Sequence, residues 1–194
     1  MLVIRRQAAG FSLIELLIAM TIAGILLAFG APAMSGYIQN ARLGAMAQSI
    51  YSGLQMARTE AVRRNQSVEF VLSNSPLDTT TVDAVSQDAS GRNWVVRYMQ
   101  PPPISTYQGI EKKATNSGDA GGVVVAATAP LFVFNGLGGS NVPGTIALTN
   151  PVVGLCSPAG SVRCWNVVVG AGGQIRLCTP DASLAVSDTR YCPP

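Results

Sequence analysis

The sequence predicts an α+β fold: a long N-terminal α-helix, transmembrane in its first half and amphipathic in its second, packed on an antiparallel β-sheet head. Three observations carry that expectation. Between Leu16 and Ala41 there is no charged residue. Leu43, Ala47, Ile50, Leu54, Ala57 and Ala61 then recur at three- and four-residue steps, the spacing of one helix face. Beyond Asn65 the apolar period falls to two, as strands require. The 194 residues suffice for one domain plus an anchor. Their expected boundaries are a leader at 1–10, the spanning segment at 11–35, the amphipathic segment at 36–65 and the β-rich head at 66–194.

The leader, MLVIRRQAAG, holds two arginines and ends in glycine, and the apolar run begins at Phe11. At about 1.5 Å of rise per residue, roughly 20 apolar residues cross a bilayer core, so this run is long enough. A cleaved secretory signal has a shorter apolar core, with its cutting site behind it. A plain anchor fits the length but leaves Glu15 unexplained, because a carboxylate near the bilayer centre is costly. A cut between Gly10 and Phe11 explains it. Glu15 then becomes the fifth residue of a new N-terminus, and its charge can pair with the α-amino group of a neighbouring subunit in a helical bundle. Pro32 lies in the same run and leaves the carbonyl of Ala28 without its usual donor, so a bend is expected there.

The string Gly10-Phe11-Ser12-Leu13-Ile14-Glu15-Leu16-Leu17-Ile18 resembles the prepilin cleavage motif of type IV pilins and type II secretion pseudopilins, with glycine, phenylalanine and glutamate at the family's offsets. The resemblance implies cutting after Gly10 by a prepilin peptidase, N-methylation of Phe11, and packing of the helix in a filament core. A proline at the offset of Pro32 is also characteristic of pilins. It implies a single-pass inner-membrane protein with a periplasmic head before assembly, and a filament subunit among other major and minor pilins afterwards.

In the second half of the helix, Gln48, Ser49, Gln55, Arg58, Glu60, Arg63 and Arg64 occupy the faces away from the apolar stripe. Glu60 and Arg64 are one turn apart and can pair weakly. Arg63 and Arg64 suit the negative end of the helix dipole, and Asn65 tolerates the left-handed conformation that ends a helix. The stretch from Leu54 to Asn65, with alanine-arginine-x-glutamate-alanine and a basic pair, resembles the helix end of the GspH/FimT branch of minor pilins and pseudopilins.

In the head, strands are expected at 67–72, 93–99, 123–127, 131–135, 145–149, 165–169 and 174–178. The connections 73–91 and 100–122 read as exposed loops, with Pro101-Pro102-Pro103 as a short extended piece. The run Phe132-x-Phe134 followed by Gly138, and the final hairpin, also look like the GspH/FimT branch.

The four cysteines, Cys156, Cys164, Cys178 and Cys192, lie in the last fifth of the chain. An even number behind an export-like N-terminus reads as two disulfides in an oxidising compartment; zinc would want a CxxC-like pair, and there is none. Two pairings are open. Folding the last hairpin about Ala171 places Cys164 opposite Cys178, leaving Cys156 for Cys192. The local alternative is Cys156–Cys164 with Cys178–Cys192. The local pairing is preferred, because closing the tail onto the last strand explains a cysteine just before Pro193-Pro194.

Composition excludes much else. There is no histidine, which removes the commonest general base and metal ligand, and no catalytic constellation is evident. No cofactor and no metal site is expected; Asp78, Asp83 and Asp88 lie in one polar loop but lack a dense oxygen-ligand pattern. Net charge is +3, of which Arg5 and Arg6 in the leader supply two, too little for strong non-specific nucleic-acid binding. FimT proteins linked to DNA uptake carry glycine-arginine-x-arginine after the last turn. Here the matching residues are Gly173-Gln174-Ile175-Arg176, so only Arg176 remains, with Arg163 and Arg190 as the candidates to compensate. The expected function is therefore a minor pilin of a type IV pilus, priming or capping filament assembly. The alternatives are a DNA-binding minor pilin for natural transformation and a minor pseudopilin of a type II secretion system.

Overall fold

Ser12 starts the helix: its hydroxyl accepts the Glu15 N–H at 3.3 Å, the serine-to-glutamate spacing of a capping box. In the computed structural model, which describes residues 11–75, 77, 82–114 and 121–192 and only the backbone of 27–33, helix α1 runs Leu13–Arg64. It ends where Asn65 takes a φ of 51°. The Asn65 N–H then bonds the Val62 carbonyl and the Gln66 N–H the Ala61 carbonyl, each at 3.2 Å, the paired closure of a Schellman cap. The chain divides into two compact units after Tyr37. Among the described residues no helix is long and apolar enough to cross a membrane. The middle of the expected span, Pro32 and its bend included, lies outside the described side chains.

In the second unit the strands are β1 Val68–Ser73, β2 Asn93–Met99, β3 Tyr107–Lys113, β4 Val124–Ala127, β5 Leu131–Phe134, β6 Gly144–Thr149, β7 Trp165–Val169 and β8 Ile175–Cys178. They form two four-stranded antiparallel sheets among the described residues, one ordered β3-β2-β1-β5 and the other β4-β6-β7-β8. With the helix they make an α+β fold whose head holds two sheets where one was expected. Leu43, Ala47, Ile50, Leu54, Ala57 and Ala61 are all fully buried. They share one core with Val68, Phe70, Leu72, Val96, Phe132 and Phe134 of the first sheet and Val125, Ile146, Leu148, Val167 and Val169 of the second. Phe70 stacks on Trp94 at 5.5 Å between ring centroids and meets Phe132 edge-on at 6.5 Å, geometries aromatic rings prefer. Each large apolar side chain taken from water contributes roughly 1.5–3 kcal/mol.

Three expectations need correction. The segment 100–122 was expected to be loop, yet it contains β3, paired to β2 in register with a bulge at Val96/Arg97. β3 reads poorly as a strand because it is an edge: YQGIEKK carries glycine and charge rather than alternating apolar residues, features that discourage edge-to-edge pairing. The proline run does not extend; residues 102–104 turn, and the Gln100 N–H bonds the Thr106 carbonyl at 2.9 Å, because β2 and β3 run antiparallel and the chain must reverse. Nor is 73–91 simply exposed. Ser73 is buried in β1 and Gly91 is buried. Val82 lies over Gly109, where a Cβ would come within 3.1 Å of it. Beneath, on the face of the first sheet away from α1, Arg97 donates to Glu69 at 2.9 Å and to the Val82 carbonyl at 2.7 Å. Arg97 also lies 3.9 Å over the Tyr107 ring. Tyr107 donates to Glu69 at 3.0 Å; burial first, then that bond, pushes its phenol pKa up.

Candidate functional site

The N-terminal segment is apolar on every side. From Leu13 to Leu26 its leucines, isoleucines and Met20 are all more than half exposed, and Phe11 is 84% exposed. Helices packed on their own domain bury one stripe; a helix apolar all round belongs in lipid or among other helices. Glu15 is also exposed. It stands at the third helical position, where a negative charge meets the positive end of the helix dipole. The Ser12 cap was not read from the sequence, although serine followed three residues later by glutamate was the available signal. Gly10 lies outside the described residues.

The helix end, the 136–139 turn and the last hairpin form a second constellation. Arg58 donates from Nε to the Gly138 carbonyl at 3.1 Å. Gly138 has φ +81°, and a Cβ there would lie 3.1 Å from Val62. Gly173, at φ +72°, packs so closely that a Cβ would fall 1.7 Å from the Gly138 carbonyl oxygen. The Ser140 N–H bonds the Ala171 carbonyl at 3.0 Å. These two glycines are needed for backbone approach as well as conformation, so the glycine-rich stretches act as packing surfaces.

That hairpin does not fold about Ala171. Asn166 pairs with Cys178 and Val169 with Ile175, which centres the turn on Gly172 and leaves Cys164 two residues away from facing Cys178. The reason is the turn itself: the Gly170 N–H bonds the Gln174 carbonyl and the Gly173 N–H the Gly170 carbonyl, closing over three residues. Cys156 is bonded to Cys164 and Cys178 to Cys192, with Cα atoms 5.4 and 5.2 Å apart.

The three arginines have different partners. Arg176 is exposed on β8 and makes a 3.5 Å contact with the Tyr191 carbonyl. Arg190, in the tail, is forked onto Asp188 at 3.1 and 2.7 Å. The Arg190 side chain, then its backbone N–H, holds the Asp188 carboxyl down at about 2, so that positive charge already has a partner. Arg163 lies before β7, with its N–H on Asn40 Oδ1 at 2.9 Å. Of the loop aspartates, Asp88 is capped by Ser90 and Asn74, and Ser90 first holds its carboxyl low; Asp83 accepts the Tyr107 N–H; Asp78 lies outside the described residues. Among those described, no three His, Cys, Asp or Glu side chains converge to hold a metal ion. A groove of about 810 Å³ runs beside α1, with Met46, Ser49, Trp94, Glu111 and Lys113 among its walls; its charges are mixed and it presents no reactive pair.

A family model for the type II transport protein GspH matches residues 46–186, and a model for the prokaryotic N-terminal methylation motif matches residues 5–31. No curated protein sequence matches significantly. Among solved structures, the type IV minor pilin FimU of Pseudomonas aeruginosa PAO1 is similar at 14% identity, over 73% of this chain and 91% of that one, with a TM-score of 0.48. The minor pseudopilin EpsH from the type 2 secretion system of Vibrio cholerae is similar at 15% identity, over 72% and 98%, with a TM-score of 0.49. Neither likeness is close enough to bear on function.

Proposed function

This chain belongs to the GspH family, and on that premise we propose that it is a minor pilin of a type IV pilus, a structural subunit that primes or caps the filament. Members of the family are pilin-like subunits of type IV pili or type II secretion systems, and are not known as enzymes. In this reading prepilin peptidase cuts between Gly10 and Phe11, and Phe11 is N-methylated. The segment 11–35 holds the chain in the inner membrane with its head in the periplasm. It then leaves the bilayer for the filament core, where it packs on other major and minor pilins.

One observation supports this above the others: an N-terminal helix exposed and apolar on all sides from Leu13 to Leu26, with Glu15 as its one charge. Lipid and a bundle of like helices satisfy such a surface equally, so transfer between them costs little. Glu15 is the group that distinguishes them, because in a bundle it can meet the amine of a neighbouring Phe11. The test is incorporation of Glu15→Ala and Glu15→Gln into filaments, with the mass of the mature N-terminal peptide. The expected peptide starts at Phe11 with one added methyl group, and both variants are membrane-held but excluded from filaments. Wild-type incorporation of Glu15→Ala would sink the reading.

The family description favours one alternative, a minor pseudopilin of type II secretion. A clean deletion separates the two: lost piliation supports the first, lost exoprotein release with normal piliation the second. Contact with DNA draws less support from the charges, since Arg190 is matched by Asp188 and Gln174 stands where a second arginine is needed. A salt-sensitive gel shift abolished by Arg176→Ala would restore it.

A further inference from the structure

We propose that the loop from Asn150 to Cys164, whose second arm is closed by a disulfide, is a membrane contact: Val152, Val153 and Leu155 enter the interfacial layer of the bilayer while Arg163 and Arg42 meet anionic headgroups. This rests on the reading that the uncharged N-terminal run spans the membrane before assembly.

The loop exposes apolar side chains that no strand pattern explains. Val152 is 81%, Leu155 66% and Val153 36% exposed. They do not sit on a slack tip. Asn150 is buried and donates from Nδ2 to the Gly121 carbonyl at 2.9 Å. The Val153 and Gly154 N–H groups both turn back to the Asn150 carbonyl. On the other arm Cys156 bridges Val162, and the Cys156–Cys164 bond closes that arm. A firm loop that still presents valine and leucine to solvent marks a contact surface.

What covers it follows from where it is tied. Asn40 donates to the Ser161 carbonyl at 3.3 Å and accepts the Arg163 N–H at 2.9 Å, and Asn150 Nδ2 lies 3.5 Å from Gln39 Oε1. The loop is thus fixed to α1 at residues 39–40, just before Arg42. Arg42 is the first charged residue after the run that opens behind Glu15. A spanning helix leaves the hydrocarbon near its first charge, and two residues of helix rise only about 3 Å. The loop's anchor on α1 therefore lies within a few residues of the membrane boundary. Its own charge suits that place: Arg163 and the neighbouring Arg42 are exposed, and long basic side chains reach from an apolar surface to headgroups. Asp181, which accepts from Ser157 on the closed arm, is also bonded to Ser183.

The test uses the full chain reconstituted in vesicles of phosphatidylcholine and phosphatidylglycerol with brominated acyl chains, which quench tryptophan at close range. Val152→Trp and Leu155→Trp probe the loop. Ile22→Trp probes the spanning run. Leu137→Trp is the remote control: Leu137 is 93% exposed beside Gly138, which is bonded to Arg58, some 16 residues or about 24 Å along α1 from Arg42. Emission from Trp94 and Trp165 is subtracted with the unsubstituted chain. The expected result is severalfold stronger quenching at Val152 and Leu155 than at Leu137, weakened by omitting phosphatidylglycerol or by Arg163→Gln. Quenching at Ile22 with none at Val152 and Leu155 overturns the proposal and leaves the membrane reading standing. No quenching at Ile22 removes the membrane reading and the proposal together. Shielding of Val152→Trp from aqueous iodide without lipid quenching also overturns it, because the loop is then covered by protein. Indifference to both lipid charge and Arg163→Gln overturns the headgroup contact.

Discussion

From Leu13 to Leu26 the large apolar side chains of α1 lie more than half exposed, whereas from Leu43 to Ala61 those at three- and four-residue spacing are fully buried. Both stretches are helical and rich in leucine, isoleucine and alanine. They differ in how apolarity is distributed around the axis. In the second stretch it forms a stripe, with Gln48, Gln55 and Glu60 on other faces, and the stripe finds its cover within the same chain. In the first it is all round, and one small domain cannot surround a helix. The distribution of apolar residues thus sets the two halves apart: the head's own sheets cover one, and in the proposed function lipid and other subunits cover the other.

That contrast is open to measurement. The largest effect should come from the buried stripe. Leu54→Ala is expected to lower head stability by about 2–5 kcal/mol, read as a shifted denaturant midpoint of the full chain in detergent. Leu17→Ala, on the exposed half, should leave that midpoint unmoved. Equal shifts would erase the distinction between the halves.

Reduction of the disulfides, at sequence separations of 8 and 14, should cost about 2–3 kcal/mol each. The loss should fall on the head's unfolding, while circular dichroism of the N-terminal helix in micelles persists. Glycine gives a third test with opposite signs. A Cβ at Gly53 would meet Phe70 at 2.8 Å and Trp94 at 3.1 Å, so Gly53→Ala should destabilise by about 1–3 kcal/mol through overpacking. At Gly24 nothing lies within 4 Å, and Gly24→Ala should strengthen the helix by about 1 kcal/mol. Thermal unfolding of the two variants in the same detergent compares them directly.

The smallest effect is electrostatic and local. The Asp188 carboxyl titrates near 2 in the folded chain, below the roughly 3.9 of an unfolded aspartate. A lowered carboxylate pKa stabilises above the unfolded value, and that contribution is lost as pH falls from about 4 to about 2. The tail around Arg190 should therefore loosen in that window, seen as faster amide exchange at 188–191, while the stripe on α1 stays protected. Asp188→Asn should abolish the pH step.

Much of this was legible in the residues. The stripe was, because a helix repeats every 3.6 residues and each position is set by its near neighbours. The central strands were legible for the same reason, at a period of two. β3 was not, because its strand character comes from β2 beside it and not from its own side chains. The pairing of buried Arg97 with half-buried Glu69 was invisible too: in sequence they are ordinary charges on alternate strand positions, and Val82 adds a carbonyl to Arg97 only in the fold. The hairpin slipped by one residue because a run of glycines does not say where its turn is centred.

The sequence by itself determined the uncharged run, the carboxylate within it, the amphipathic stripe and its asparagine stop, for these depend on residues within a few positions of one another. Only the tertiary structure decided the register of the last hairpin, which cysteines bond, and that the loop at Asn150 is tied to the helix at Asn40. Each of those joins residues distant along the chain, and their choice depends on which packing closes the core with its backbone groups paired.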